Sequence, residues 1–402
     1  MQISLFRAAI VLGLMSTVGP FAIDMYLPAM PAIADDLGVA QTTVQATIIT
    51  YFAAFGLAQL VYGPWADQSG RKRPILVGLT IFIIGSFGCA VAANVEALLA
   101  WRFVQGLGAA VVMVVPRAII RDLHTGPEAA RLMALIMMVI SVSPMLAPLA
   151  GSGVIAIGSW RLIFYFLCAA ALISILLAIF ILPETLPTEK RIPINFRAMK
   201  RGSKTLLSDP YFMMLTLIGA FGMGSFFVFL SSAAFVYTGE FGLSPVQFSL
   251  AFAVNAIGFF SASQFAGPLG ERITMARVVF WGTSVFTFFA VLLCLLALLG
   301  FATLPVIIVC LFCANAGLGL VIPSTMVMAL DPHGEIAGLA SSLGGAIQMV
   351  MGGLIIVATA PFFDGTALPM IGAIALCAIA AFVCAQLVLR RQKRMQSLSV
   401  GG

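Results

Sequence analysis

The chain has 402 residues, of which 61% are hydrophobic and only 9% are charged. A soluble globular domain carries about 25% charged residues, so this composition excludes that class and indicates a membrane protein. The formal net charge of +6 requires no nucleic-acid partner, because basic residues also serve as topology signals beside anionic lipid headgroups.

Long apolar runs fill most of the sequence, and about 20 such residues are enough to cross a bilayer as a helix. The runs are continuous rather than alternating, which favours helices over barrel strands. The first run, which begins beside Arg7, has the outline of a secretory signal, but eleven further runs favour an uncleaved helix. We predict twelve spans: 5–28, 44–64, 74–93, 97–118, 130–156, 159–182, 211–235, 245–268, 277–300, 303–329, 335–361 and 367–389.

The positions of the 21 Lys and Arg residues predict the orientation of these spans. If the N-terminus is cytoplasmic, nearly all of them, including Arg117, Arg121 and Arg131, fall on the cytoplasmic side. The exceptions are Arg161, outside, and Arg102, within span four. The positive-inside rule therefore places both termini in the cytoplasm of a multi-pass protein, which we expect in a bacterial inner membrane.

The longest polar interval, 183–209, separates the spans into six and six. Its Pro, Ser and charged residues are typical of a linker, and "NFRAMKRGSKTL" within it predicts a short amphipathic helix. We therefore predict an N-terminal six-helix bundle at 1–182, a cytoplasmic linker at 183–209 and a C-terminal six-helix bundle at 210–402.

The two predicted halves share a sequence pattern. "GPWADQSGRKRPI" (63–75) follows span two and "GPLGERITMARVV" (267–279) follows span eight, with matching Gly, Pro, acidic and Arg residues 204 positions apart. A repeated six-helix unit is typical of transporters that alternate access to a central site. The alternative is a chance match of a helix-end Gly-Pro pair with nearby loop charges.

No pattern in the sequence predicts a cofactor or a metal site. The seven cysteines all lie in apolar spans, and Cys310 and Cys313 mimic a CxxC pair in mid-helix with no histidine nearby. The histidines, His124 and His333, fall in loops. The cysteines are typical of small core residues, and no phosphate-binding loop pattern is present.

Asp24 stands within "FAIDMYLPAMP" (21–31), at the outer end of span one. A carboxylate inside a membrane costs about 2.5–3.5 kcal/mol on insertion scales, so such residues are usually functional. Removal from water favours the protonated form, and a carboxyl group of this kind can hold either a proton or a substrate group. Pro28 and Pro31 leave open the alternative that span one ends early and that Asp24 is exposed to water at the outer interface.

Arg102 lies about five residues into span four, at a depth matching that of Asp24. Opposite charges at equal depth can offset the cost of removing each other from water. Gln105 follows on the same helix face, and Gly106 and Gly108 favour a closely packed neighbouring helix. The alternative is that Arg102 snorkels to the headgroups.

Other polar or aromatic residues within the spans are candidates for a substrate cavity. Intramembrane amides also serve as contacts between helices, and most phenylalanines face lipid or core, so both interpretations stay open. Together with Asp24, Arg102 and Gln105, the candidates are Tyr51, Phe227, Asn255, Asn315 and Gln348.

Several segments resemble the major facilitator superfamily. "GPWADQSGRKRP" (63–74) resembles its signature between helices two and three, "RFVQGLGAA" (102–110) its second motif, and "SPMLAPLAGSG" (143–153) its antiporter signature. "DMYLPAMPAIADDLG" in span one and "GMGSFFVFLSSAAFVY" in span seven are similar to the bicyclomycin- and chloramphenicol-resistance branch of drug:proton antiporters. The resemblance implies an all-α fold with twelve transmembrane helices in two pseudo-symmetric six-helix bundles.

The resemblance also implies roles for single residues. Arg102 would take part in proton coupling and the response to substrate. In the 63–74 loop, Asp67 would face the start of span eleven, and Arg71 would reach Asp122 as a charge clamp closing the cytoplasmic side. Gly63 and Gly70 complete this predicted gate, Gly70 by allowing a tight turn. The alternative is a solvated loop that serves only the positive-inside rule.

From these features we expect a monomeric secondary antiporter rather than an enzyme. It would export a small lipophilic compound, such as an amphenicol or bicyclomycin, in exchange for protons, without a cofactor. One alternative is proton-coupled export of a sugar, nucleoside or other metabolite, and another is a membrane receptor or scaffold without transport. A membrane enzyme would need a clustered catalytic constellation, which the sequence does not contain.

Overall fold

The structure is a computed structural model that describes residues 5–123, 126–191, 193 and 196–400. His124 and a few positions of the predicted linker lie outside the described residues, as do the side chains of Arg121 and Arg131. Within the described part the chain is helical and contains no strand, which confirms the all-α prediction.

The chain divides into two compact units. Unit 1 comprises Met1–Asn195 together with Leu243–Phe252. Its helices, in chain order, are α1 (Leu5–Asp24), α2 (Met30–Leu37), α3 (Gln41–Ser69), α4 (Lys72–Ala90), α5 (Val95–Ala109), α6 (Val111–Leu123), α7 (Gly126–Ile157) and α8 (Arg161–Phe180).

Unit 2 comprises Phe196–Gly242 and Ala253–Gly402. Its helices are α9 (Phe196–Ser208), α10 (Pro210–Phe235), the greater part of α11 (Pro245–Ser263), α12 (Ala266–Ile273), α13 (Met275–Leu298), α14 (Leu304–Leu330), α15 (Ala337–Thr359) and α16 (Ala367–Val400).

Eleven helices of the described part are long and apolar enough to cross a membrane. They coincide with eleven of the predicted spans. The remaining prediction, 130–156, falls on α7, where many side chains are not described and the described apolar stretch is Val142–Ile157. The protein is therefore a multi-pass membrane protein, and the count of twelve spans stays a prediction.

The structure corrects the predicted boundary after span two. The sequence predicts that this span ends at residue 64 and that a loop covers 63–74, whereas α3 continues through Pro64 to Ser69. A proline inside a helix removes one hydrogen bond but does not have to end the helix. Gly63 and Asp67 therefore lie on a helix, and the turn is confined to Gly70 and Arg71.

Glycines bring the helices of unit 1 close together. A Cβ at Gly106 on α5 would collide with the backbone carbonyl of Tyr51 on α3, and one at Gly108 would collide with the backbone of Phe82 on α4. Lipid supplies no hydrophobic driving force between helices, so their association depends on close van der Waals packing, which small residues at the crossings allow. α5, which carries Arg102, is consequently held between α3 and α4.

Candidate functional site

Asp24 is the last residue of α1 and is buried, with only 5% of its surface exposed. The helical segment does not end there, because a short helical turn and α2 continue the candidate span to Leu37. Within the described residues the Asp24 carboxyl group forms no hydrogen bond and no ion pair. The structure therefore places Asp24 in the interior, in contrast to the alternative of a wet residue beyond an early helix end.

Arg102, on α5, is fully buried. Its Nη1 donates to the backbone carbonyl of Ala22 at 3.1 Å and to Oε1 of Gln105 at 2.6 Å. A snorkelling arginine would hold its guanidinium at the surface, so this geometry speaks against that alternative.

Two tyrosine rings lie close to the Arg102 guanidinium. The rings of Tyr26 and Tyr51 each have their centroid 4.5 Å from its central carbon. The Tyr26 hydroxyl group lies 2.8 Å from that of Thr47, and the Tyr51 hydroxyl donates to the carbonyl of Gly19 at 3.2 Å. Cation–π contacts of this kind are worth about 0.5–2 kcal/mol each when desolvated, so they hold the charge in an otherwise apolar place.

Part of the Arg102 guanidinium has no hydrogen-bond acceptor in this arrangement. Nε and Nη2 are buried and have no partner in the described part of the chain. The sequence predicts that Asp24 and Arg102 offset each other's charge, but no ion pair joins them in this structure, because the guanidinium instead bonds the carbonyl of Ala22, two residues before Asp24.

Gln105 continues the polar cluster along α5. It is fully buried, and its Nε2 donates to the hydroxyl group of Ser86 on α4 at 2.8 Å. Gly85 makes this possible, because a Cβ there would collide with the backbone of Gln105. We did not predict Tyr26 or Ser86 from the sequence. Tyr26 offered a signal, since it stands two residues after Asp24 in the same apolar segment.

The predicted cavity residues of unit 2 contact different neighbours within that unit. Phe227 is buried against Gly352, and Gln348 is half-buried with its amide at the position where a Cβ on Gly219 would stand. Asn255 is buried beside the side chain of Tyr237. Asn315, on α14, is half-buried.

The predicted gate residues of unit 1 form an ion-pair cluster around Arg71. Its Nη1 donates to Asp67 at 2.6 Å, while Nε and Nη2 donate to the two oxygens of Asp122 at 2.7 and 3.2 Å. The Arg71 side chain is only 7% exposed. Burial tends to lower the pKa of this guanidinium, but the hydrogen bonds and charges of Asp122 and Asp67 outweigh burial and raise the pKa above its usual value.

The segment after α8 packs onto this cluster. Glu184 accepts hydrogen bonds from the backbone N–H groups of Arg71 and Lys72 at 2.8 and 3.2 Å, and the Thr185 hydroxyl donates to Asp122 at 3.0 Å. Gly70 has φ +89°, and a Cβ there would stand 2.5 Å from Glu184 Oε2. We did not predict the part played by Glu184, because nothing in the local pattern links it to a turn more than a hundred residues earlier.

Comparisons with known proteins agree with this architecture. The profile of the Major Facilitator Superfamily matches residues 12–357. The chain is 34% identical to the "Uncharacterized MFS-type transporter YdgK" of Bacillus subtilis, over 86% of this chain and 87% of that protein. It is 30% identical to the "Bicyclomycin resistance protein homolog" of Haemophilus influenzae, over 94% of this chain and 95% of that protein. It is 29% identical to the "Chloramphenicol resistance protein" of Pseudomonas aeruginosa, over 88% of this chain and 84% of that protein.

These matches cover nearly the whole chain and agree with its membrane-spanning helices. They favour a transporter over an enzyme. The protein belongs to the major facilitator superfamily and resembles its bicyclomycin- and chloramphenicol-resistance members.

Proposed function

We propose that this protein is a proton-coupled antiporter that exports small lipophilic compounds, such as amphenicols or bicyclomycin, by alternating access. We place it in a bacterial cytoplasmic membrane with both termini in the cytoplasm, and we expect it to act as a monomer. Membership of the superfamily supports transport, and the names of the resistance-protein relatives support the substrate class.

The observation that carries the proposal is a buried carboxyl group without a partner and, in the same unit, a buried guanidinium with unused donors. Asp24 forms no hydrogen bond or ion pair among the described residues, and Nε and Nη2 of Arg102 have none either. A protonated carboxyl group is tolerated in such a place, whereas an ionised one requires hydrogen-bond donors or a cation. We propose that Arg102 supplies both once Asp24 has lost its proton.

In the proposed cycle, Asp24 takes up a proton from the outside when the exported compound leaves, and it releases the proton on the cytoplasmic side. In this proposal Arg102, whose Nη1 bonds the carbonyl of Ala22 two residues before Asp24, responds to the charge of Asp24. One proton moving down about 100 mV supplies about 2.3 kcal/mol, which corresponds to roughly fifty-fold accumulation of a neutral substrate. The proposal needs no nucleotide or other cofactor.

We propose that the cluster of Arg71, Asp67 and Asp122 is the cytoplasmic gate. Two short charge-assisted hydrogen bonds, to Asp122 and Asp67, and a longer one to the second oxygen of Asp122 hold the buried Arg71 side chain. Gly63 lies one turn before Asp67 on α3, and Gly70 provides the turn into α4. Breaking this cluster would loosen the cytoplasmic end of α3 relative to α6.

Substitution of Asp24 by Asn tests the coupling step. The amide keeps the size and polarity of the carboxyl group but cannot exchange a proton, so substrate-driven proton release by the purified protein should disappear. Asp364→Asn is a matched control, because Asp364 is an exposed acid between α15 and α16. Proton release that persists in Asp24→Asn and equals that of the control would contradict the role of Asp24.

A growth-inhibition panel of antibiotics, with and without expression of the protein, tests the substrate class. Protection against amphenicols or bicyclomycin that disappears with the proton gradient would support the proposal. No protection, together with proton-dependent export of a sugar or nucleoside, would favour the metabolite alternative. Ligand binding without any gradient-dependent movement would favour a receptor.

A further inference from the structure

The helix α9 (Phe196–Ser208) has two chemically different faces. One face carries Met199, Gly202, Ser203 and Leu206, all half-buried or buried. The opposite face carries four cations at positions i, i+3, i+4 and i+7, which a helical period of 3.6 residues places on one side. These cations are Arg197, Lys200, Arg201 and Lys204.

The buried face fixes α9 at the ends of two candidate membrane spans. A Cβ at Gly202 would stand 2.7 Å from the side chain of Leu339, near the start of α15, and α10 begins two residues after α9 ends. Between them, Asp209 caps α10 through the backbone N–H group of Tyr211 at 2.9 Å and binds Nε2 of His333 at 3.0 Å. α9 is therefore anchored at the level where α10 and α15 enter the apolar region.

The cationic face has no protein partner in the part of the chain that the structure describes. All four cations are exposed, and none forms an ion pair or a side-chain hydrogen bond with a described residue. α9 itself carries no acidic residue. Leu207, at the edge of this face, is 51% exposed, so an apolar side chain adjoins the positive charge.

We propose that this face of α9 binds the phosphate-bearing headgroups of anionic phospholipids in the adjacent leaflet. A charged lipid surface fits all three features of this helix: its four unpartnered cations, its flanking apolar side chain and its position at the ends of two spans. A soluble acidic protein would match the charge but not the exposed Leu207 or the level of the helix. Bound lipid would hold α9 at the membrane surface.

Hydrogen exchange of the full-length protein in nanodiscs tests the proposal. Backbone exchange of α9 should slow when phosphatidylcholine is partly replaced by phosphatidylglycerol, because bound headgroups restrain the helix. Each cation removed should weaken this association about fivefold, since a basic residue near an anionic surface contributes about 1 kcal/mol. K200Q/R201Q should therefore associate with the anionic surface about 25-fold more weakly, and its α9 should exchange faster than that of the unmodified protein at the same phosphatidylglycerol content.

R272Q/R277Q is the matched control, because it removes the same amount of charge from two exposed arginines near α12 and α13. Protection lost in K200Q/R201Q and kept in this control would support the proposal. Loss of the protection of α9 in the unmodified protein at about 1 M salt would also support the proposal, because the Debye length falls there to about 3 Å.

Three results would overturn the proposal. The first is equal exchange of α9 in neutral and anionic nanodiscs. The second is equal loss of protection in both double variants. The third is protection by an acidic polyglutamate peptide in neutral nanodiscs without any effect of phosphatidylglycerol.

Discussion

Replacing Arg102 by Lys separates the positive charge from the planar shape of the guanidinium. Arg102 donates two hydrogen bonds from Nη1, to the Ala22 carbonyl at 3.1 Å and to Gln105 at 2.6 Å, and it contacts two tyrosine rings. An ammonium group has no planar surface to offer the two rings and cannot reach both acceptors in the same geometry.

The expected loss of stability follows from these contacts. One hydrogen bond from a charged donor contributes about 1.5–3 kcal/mol, and partial loss of the two ring contacts adds about 0.5–1 kcal/mol. We expect the free energy of unfolding of Arg102→Lys to be lower by about 2–4 kcal/mol. Because the unused donors of Nε and Nη2 disappear as well, coupled efflux should be lost even in molecules that remain folded.

Two measurements and one control test this reasoning. Unfolding in mixed micelles gives the stability, and drug-driven proton release by the folded fraction gives the coupling. Arg161→Lys is the control, because Arg161 also binds a carboxylate, Asp36, and stacks on Trp160, but its side chain is 31% exposed. An exposed pair should lose about 1 kcal/mol or less. If Arg102→Lys kept full coupling and lost no more stability than this control, the tyrosine-bound guanidinium would have no special function.

Two further predictions concern the gate and the helix packing. Asp67→Ala removes one of the carboxylates that bind Arg71, so a cysteine introduced at the Asp67 end of α3 should be labelled faster. An unchanged labelling rate would contradict the proposed gate. Gly106→Ala would bring a Cβ against the carbonyl of Tyr51, so the free energy of unfolding should fall by about 1–3 kcal/mol. Gly153 has open space around it, so Gly153→Ala is the control and should leave the free energy of unfolding nearly unchanged.

Much of the fold could be predicted because membrane insertion leaves a strong signal in the sequence. Continuous apolar runs predicted the helices, since every backbone polar group within lipid must be satisfied inside the segment. The end of α3 could not be predicted in this way. Pro64 and the charges after it suggest a boundary, yet the contacts of Arg71 with Asp67 and Asp122 support one more helical turn.

The candidate site was predictable where a residue was unusual for its surroundings. Asp24 and Arg102 are ionisable residues within apolar spans, so the sequence alone marks them as functional candidates. Ser86 and Glu184 carry no such mark, because a serine within a span and an acid after one are both common. Their roles depend on contacts with Gln105 and with the turn at Gly70, which only the folded chain brings together.

The unpaired donors of Arg102 are informative because they are costly. A buried polar group without a partner costs about 1–3 kcal/mol, and the guanidinium leaves both Nε and Nη2 in that condition. The rings of Tyr26 and Tyr51 offset the burial of the positive charge but accept no in-plane hydrogen bond. A static scaffold would gain stability by placing an acceptor there. A transporter has a reason to leave the donors open, because an anion that forms only when Asp24 loses its proton can then be stabilised at that step and not before.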